Sequence, residues 1–78
     1  MNDREEVLMK MIQDCGSIIE LCSKISRKKT EPNQWDRNSL TKKLAFMMMT
    51  IEKLNDENLI DEKMLFDFVQ EQEEIENV

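Results

Sequence analysis

The chain of 78 residues has little of several residue types, with one glycine, one proline, two cysteines, no histidine and no tyrosine. So few turn-forming residues argue against a strand-rich fold, which needs a turn after almost every strand. The absence of histidine removes the commonest general base at neutral pH. No apolar run approaches the roughly 20 residues of a membrane span and no secretory leader is recognisable, so we expect a cytoplasmic protein.

The two cysteines, Cys15 and Cys22, are separated by seven positions in the sequence. On one helix this spacing places them about 10 Å apart, which is too far for an intrachain disulfide. Two thiols without histidine cannot complete a tetrahedral zinc site. We therefore expect both cysteines to be buried as small hydrophobic side chains.

The net charge of −6 is distributed unevenly along the chain. Residues 1–23 carry −3, residues 24–43 carry +5 and residues 44–78 carry −8. The bases of the middle segment are Lys24, Arg27, Lys28, Lys29, Arg37, Lys42 and Lys43. Because the rest of the surface would repel a phosphate backbone, the protein is not expected to bind bulk nucleic acid. A compact anionic ligand or an acidic patch on another protein fits this distribution better.

Apolar residues recur at helical spacing in the first third of the chain and predict a helix over residues 3–27. Asn2 or Asp3 can cap its beginning. The apolar stripe consists of Val7, Leu8, Met11, Ile12, Cys15, Ile18, Ile19, Cys22 and Ile25. The opposite side of this helix carries Gln13, Asp14, Ser17, Leu21 and Lys24.

The remaining chain predicts a loop over residues 28–38, a second helix over residues 39–55 and a third over residues 61–75, with Asp61 as its N-cap. The expected core stripe of the second helix consists of Leu40, Leu44, Met47, Met48 and Ile51. Phe46 and Met49 lie roughly opposite this stripe, near Lys42 and Lys43. A helix that is apolar on two sides is expected to be covered on two sides.

These elements predict one all-α domain over residues 1–78, formed by a helical hairpin and a third helix. A single chain of this size buries a small core, and assembly is a common remedy. We therefore expect a homo-oligomer, a dimer or larger, in which two hairpins complete a four-helix-bundle-like core.

Two segments resemble small MazG-like nucleoside triphosphate pyrophosphohydrolases, many of which are encoded by bacteriophages: LMKMIQDCGSIIELCSKISR and, after a loop, DRNSLTKKLAFMMMTIEKLNDENLIDE. The resemblance covers about residues 5–62. It implies an all-α oligomer and Mg²⁺-dependent cleavage of nucleoside triphosphates to a monophosphate and pyrophosphate. For a phage protein, it also implies residence in the host cytoplasm.

The acidic positions of this family are largely replaced in the present chain. The family's Glu-Glu-x-x-Glu motif corresponds to Gln13, Asp14 and Ser17, and its Glu-x-x-Asp motif corresponds to Lys43 and Phe46. Mg²⁺ requires hard oxygen ligands and some carboxylate charge, and it orients the attacking water. One aspartate beside a lysine does not meet this requirement. We therefore expect no metal, no cofactor and no catalytic residue, and the protein is not expected to be an enzyme.

The resemblance and the basic segment together predict a site for a phosphorylated ligand. Lys43 would stand where the metal charge stood and could contact a phosphate. The candidate ligand-binding residues are Lys24, Arg27, Lys28, Trp35, Arg37, Lys42 and Lys43. Trp35 could stack on a nucleobase or, equally well, close the loop over the end of the bundle. Phe46 and Met49 are expected to fill the former metal position as core or interface.

Four functions are consistent with the sequence. The first is a catalytically inactive MazG-like oligomer, encoded by a phage, that sequesters a nucleotide signal of host defence. The second is an interaction module that inhibits a host protein through its apolar, methionine-rich helix faces. The third is residual pyrophosphohydrolase activity through Asp14 and Glu20. In the fourth, the helical pattern resembles the family by coincidence.

Overall fold

The computed structural model describes residues 2–76 and contains three helices in this range: α1 (Asp3–Ser26), α2 (Gln34–Asp56) and α3 (Glu62–Glu76). The described residues form no β-strand. The all-α prediction is therefore confirmed. Val78 and Asn77, at the end of the single domain predicted from the sequence, lie outside the described residues, as does Met1.

Across residues 2–76, none of the three helices combines the length and the apolar character needed to cross a lipid bilayer.

Helix α1 begins where the sequence predicts, because Asn2 caps it. The Asn2 side chain accepts a hydrogen bond from the Glu5 amide at 2.8 Å. Asp3, Glu5 and Glu6 follow in the first turn, where negative charge interacts favourably with the positive end of the helix dipole. The helix ends at Ser26, one residue before the predicted boundary.

Helix α2 begins at Gln34, and the predicted start at residue 39 is wrong. Asn33 and Asp36 form a capping box, in which the Asn33 side chain accepts from the Asp36 amide at 2.9 Å and the Asp36 carboxylate accepts from the Asn33 amide at 3.1 Å. This reciprocal pair satisfies two amides that would otherwise lack partners. The predicted loop over residues 28–38 is therefore shorter, and both Trp35 and Arg37 lie on α2.

The antiparallel contact between α1 and α2 uses a different side of α1 from the one predicted. Asp14 and Leu21, which lie opposite the predicted apolar stripe, are buried against α2. The buried hydrophobic residues of the described chain are Leu21 and Leu54, at 5% and 6% exposure. Much of the predicted stripe is instead exposed, and Ile12 is 66% accessible to solvent. The hairpin therefore places a partly polar surface inside and apolar side chains outside.

Several other residues that were expected to be buried are not buried within the single chain. Cys22 is exposed and Cys15 is half-buried, because both lie on the outward-facing stripe. On α2, Leu44, Met48, Phe46 and Met49 are all exposed. The predicted cover on two sides of α2 is thus absent within a single described chain.

Helix α3 follows a short connection and extends away from the hairpin. Asp61 caps it as predicted, since its carboxylate accepts from the Met64 amide at 3.1 Å, and Asn55 accepts from the Glu62 amide at 3.0 Å. Asn58 turns the chain with φ of 58°, a left-handed conformation that asparagine tolerates. All α3 residues after Glu62 are exposed. The Cα atoms consequently span 42 × 42 × 16 Å, about one helix layer thick.

Candidate functional site

A buried hydrogen bond between Asp14 and Thr50 joins the centres of α1 and α2. The Thr50 hydroxyl donates to Asp14 Oδ2 at 2.6 Å, and both residues are buried. The same hydroxyl lies 3.2 Å from the Phe46 carbonyl oxygen one turn earlier on α2. A threonine in the interior of a helix often makes this local bond, but here it also has a partner on another helix. The pair fixes the position of Asp14 between the two helices.

Asp14 is further held by a lysine one turn away on its own helix. Lys10 Nζ donates to Asp14 Oδ1 at 2.7 Å, so both carboxylate oxygens have partners. The hydrogen bond from Lys10 and the one from Thr50 lower the pKa of Asp14 below its usual value, against the opposing effect of burial. Asp14 is therefore a carboxylate at neutral pH, and its charge is already compensated within the chain.

Lys43 lies one helical layer further along the contact, facing α1. Its ammonium group donates a hydrogen bond to the Ser17 hydroxyl, and both side chains are half-buried. Asp14, Ser17 and Lys43 thus meet between the two helices.

An open cavity of about 630 Å³ lies on one side of this contact, and we call it the basic cavity. It is lined by Lys10, Gln13, Asp14, Ser17, Glu20, Leu21, Lys24, Trp35, Ser39, Lys42, Lys43 and Phe46. Four lysines and two acids give the lining a formal charge of +2. The cavity therefore combines a positive field with aromatic and polar surface, and its size lies in the usual range for small-molecule sites.

The structure brings together only some of the predicted ligand-binding residues. Lys24, Trp35, Lys42 and Lys43 line the basic cavity, together with Gln13, Asp14, Ser17 and Phe46, which the family resemblance aligns with metal-binding motifs. Trp35 is 64% exposed at the first turn of α2, so it is not the packing anchor considered as the alternative to stacking. Lys42 Nζ lies 6.0 Å from the ring centre of Phe46, near the limit of a cation–π interaction.

Arg27, Lys28 and Arg37 do not line the basic cavity. Lys28 is instead used structurally, because its ammonium donates to the buried Asp36 carboxylate at 2.6 Å and lies 5.9 Å from the ring centre of Trp35. The bond from Lys28 is the main cause of the lowered pKa of Asp36. Lys28 therefore fixes the connecting loop to the start of α2.

The chemistry of the lining differs from that of a divalent-metal site. Within residues 2–76, no three side chains of the types His, Cys, Asp and Glu converge on a common point. Glu20 is the second acid of the basic cavity, and its carboxylate lies 3.4 Å from Lys24 Nζ. Both acids therefore face lysines at close range, which opposes the approach of a hard cation.

Sequence reasoning missed two polar residues that line the basic cavity and one in the buried contact beside it. Lys10 precedes Asp14 by four residues, and Ser39 precedes Lys43 by four, so helical spacing alone could have placed them on the same side. Thr50 follows Lys43 by seven residues and shares its face of α2. The hydrogen bond from Thr50 to Asp14 could not be read from spacing, because it depends on which side of α1 meets α2.

Comparison with models of protein families, with curated proteins and with solved structures finds no match to this chain.

Proposed function

We propose that the basic cavity binds a compact phosphorylated ligand of nucleotide type and that the protein sequesters this ligand without hydrolysing it. In this proposal the chain is a phage-encoded, catalytically inactive relative of the MazG-like hydrolases. The observation that carries it is the presence of Lys24, Lys42, Lys43 and Trp35 in one cavity. Lysines attract phosphate oxygens, and an exposed indole offers a face on which any nucleobase can stack.

The arrangement of charges supports binding rather than catalysis. Asp14 is engaged by Lys10 and Thr50 on both carboxylate oxygens, so it is not free to take a metal ion. Lys43 supplies a fixed positive charge beside it, anchored by Ser17. A phosphate would therefore meet an ammonium group directly, and no group of the cavity is placed to activate a water molecule with the help of a cation.

The test measures thermal stabilisation and calorimetric affinity against a panel of linear and cyclic nucleotides, with inorganic pyrophosphate included. Lys43→Gln should weaken binding at least tenfold. Lys29→Gln is the matched control, since Lys29 belongs to the same basic segment but does not line the cavity. If no nucleotide binds, or if the two variants behave alike, the proposal is wrong.

Trp35 provides a second arm of the same test. One stacked base contributes about 1–3 kcal/mol, so Trp35→Leu should weaken nucleotide binding by about tenfold. Its effect on pyrophosphate should be small, because that ligand has no ring to stack. An equal loss for both ligands would show that Trp35 shapes the cavity rather than stacking on a base.

Residual pyrophosphohydrolase activity is the alternative that a direct assay decides. Incubation with deoxynucleoside triphosphates and Mg²⁺ or Mn²⁺, followed by measurement of pyrophosphate, should give no turnover above that of the Asp14→Ala variant. Turnover that Asp14→Ala abolishes would establish the enzyme and overturn the binding proposal.

A second candidate function is inhibition of a host protein through exposed methionines, favoured by Met49 at 55% exposure on α2. Methionine adapts to varied apolar surfaces. Affinity capture from host lysate should then recover one dominant protein at a fixed ratio, and Met49→Glu should abolish the capture. Recovery that Met49→Glu leaves unchanged would refute this use of α2.

A further inference from the structure

One side of the hairpin carries a continuous apolar surface, which we call the outer face. Its residues on α1 are Leu8, Ile12, Cys15, Ile19 and Cys22, and its residues on α2 are Leu40, Leu44, Met48 and Ile51. The α1 residues are separated by four, three, four and three positions, which is the spacing of an apolar row that packs against another helix. We call the outer-face residues of each helix its seam. Ile12, Ile19 and Met48 are each about two-thirds exposed.

The two halves of the outer face lie on the same side of the hairpin. Successive residues are rotated by about 100° around the axis of a helix. Around the α1 axis, the seam lies about 120° from Asp14 and Leu21, which contact α2. Around the α2 axis, the seam lies about 90° from Lys43 and Leu54, which face α1, in the same rotational sense. Because the helices are antiparallel, rotations of the same sense lead to the same side of the pair. The basic cavity opens on the other side, where Gln13 and Lys42 lie.

The outer face is as large as the largest apolar patches that isolated chains expose. Its side chains expose on the order of 600 Å² of apolar surface, at the upper end of the about 300–600 Å² patches found on monomers. A stable interface buries about 800 Å² per partner, so a second outer face of the same size nearly supplies what is needed. Within residues 2–76, Leu21 and Leu54 are the buried hydrophobic residues, so the chain by itself has little core.

The hairpin also has a strong charge difference between its two ends. The loop end, residues 20–43, carries seven bases and three acids, a net charge of +4. The open end, residues 3–9 together with 52–57, carries six acids and two bases, a net charge of −4. A second cleft, of about 330 Å³, lies at this open end and is lined by Asp3, Glu6, Val7, Lys10, Lys53, Asp56 and Glu57.

We propose that a second copy of this chain covers the outer face, with the two hairpins antiparallel so that each basic loop end meets the acidic open end of the other copy. The parallel arrangement would place like charges together at both ends. In the antiparallel arrangement, each basic loop end, with a net charge of +4, meets an acidic open end, with a net charge of −4. The acidic α3 leaves the hairpin at its open end and adds to the same attraction. The resulting four-helix core leaves both basic cavities open, so assembly does not depend on the proposed ligand.

Two-fold symmetry fixes which helices meet in this arrangement. For antiparallel hairpins, α1 lies over α1 and α2 over α2 of the other copy. The middle of the α1 seam is Cys15, so the two Cys15 thiols lie near the symmetry axis. The two Cys22 thiols are then about 20 Å apart, at 1.5 Å per residue along the helix. In the parallel arrangement, the distance between the two Cys15 thiols would be similar to the distance between the two Cys22 thiols.

The first experiment measures the mass of the full chain by sedimentation and light scattering across a concentration series. Wild type should be a dimer, and Ile19→Glu should weaken dimerisation at least a hundredfold. Met9→Glu is the matched control, because Met9 is also an exposed α1 residue, at 47%, but lies about 100° from the seam. Leu44→Glu repeats the test on α2 should Ile19→Glu fail to fold, as judged by circular dichroism. A monomeric wild type, or dimers unaffected by both seam variants, would overturn the proposal.

The second experiment tests the orientation with salt and with a lysine–carboxylate cross-linker. Raising the ionic strength should weaken an antiparallel dimer and would strengthen a parallel one. A carbodiimide should join lysines of residues 24–29 in one copy to carboxylates of residues 3–9 in the other, since these segments lie more than about 20 Å apart along α1 within one chain. Mass spectrometry of the digested dimer identifies the links, and their absence, or dimers that tighten in salt, would refute the antiparallel arrangement.

Discussion

Replacing Thr50 by valine tests whether the Asp14–Thr50 hydrogen bond holds α1 and α2 together. Valine keeps the approximate shape and the β-branched character of threonine and replaces its hydroxyl by a methyl group. Thr50 is 2% exposed and its partner is a buried carboxylate, so water cannot replace the lost bond without opening the contact. A hydrogen bond to a charged group contributes about 1.5–3 kcal/mol, and Asp14 retains its bond to Lys10. We therefore expect Thr50→Val to lower the free energy of unfolding by about 2 kcal/mol at pH 7.

The assay is urea and thermal unfolding at one fixed protein concentration, because assembly makes stability depend on concentration. For a domain of this size, a loss of about 2 kcal/mol corresponds to a fall in Tm of about 10 °C. Thr41→Val is the matched control, since Thr41 is an exposed threonine on the same helix. It should change stability by less than about 0.5 kcal/mol.

The same variant should show a characteristic pH dependence. The bond from Thr50 lowers the pKa of folded Asp14, so its contribution is fully present above the unfolded value near 4 and is lost as pH falls through the folded value. The difference between wild type and Thr50→Val should therefore shrink at pH 3. A loss below about 0.5 kcal/mol at pH 7, or a double-mutant cycle with Asp14→Asn that is fully additive, would refute the reasoning.

Three further predictions follow from burial, backbone geometry and charge. Gly16→Ala should raise the free energy of unfolding by about 0.8–1 kcal/mol in urea unfolding, since Gly16 lies in the middle of α1 and an added Cβ has no atom within 4 Å; a destabilised variant would mean that α1 is covered there. Leu54→Ala should lower the free energy of unfolding by about 2–3 kcal/mol, whereas Phe66→Ala on the exposed α3 should lower it by less than about 0.5 kcal/mol. Similar losses for the two variants would show that α3 is buried in the assembly. Asp36→Asn should lower the free energy of unfolding at pH 7, and the stability of the variant should decline less steeply below pH about 4. The lowered pKa of Asp36 stabilises the fold at pH values above the unfolded pKa, and this contribution is lost as the carboxylate is protonated. A variant with the same acid denaturation profile as wild type would contradict the Lys28–Asp36 contact.

The helices were predictable because their signals are local. The apolar spacing of α1 and the Asp61 cap of α3 depend only on residues within a few positions of each other. The start of α2 was also encoded locally, in Asn33 followed three residues later by Asp36. It was missed because Pro32 and its polar neighbours have the composition of a loop, which hid a capping box that uses aspartate instead of glutamate.

The packing of the helices was not predictable from the same signals. Periodicity locates the apolar side of α1 but does not decide which partner covers it. In the folded chain α2 takes the side with Asp14 and Leu21, through a hydrogen bond from Thr50 that no spacing rule anticipates. The resemblance aligns Ser17 and Lys43 with two separate motifs, but the hydrogen bond between them could not be read from the sequence. Whether the basic cavity binds a ligand stays a prediction.

Because the fold is one helix layer thick, it has two faces and only a small core between them. Substitutions on opposite sides of such a layer lie far enough apart to act additively, so each side can accumulate changes without disturbing the other. The exception is the thin line of side chains that both sides share, with Asp14 and Thr50 at its centre. Any cooperativity between occupancy of the cavity and association of copies must pass through this line. Ligand affinity and association of copies should therefore be independent in the wild type, and only variants in this line should change both together.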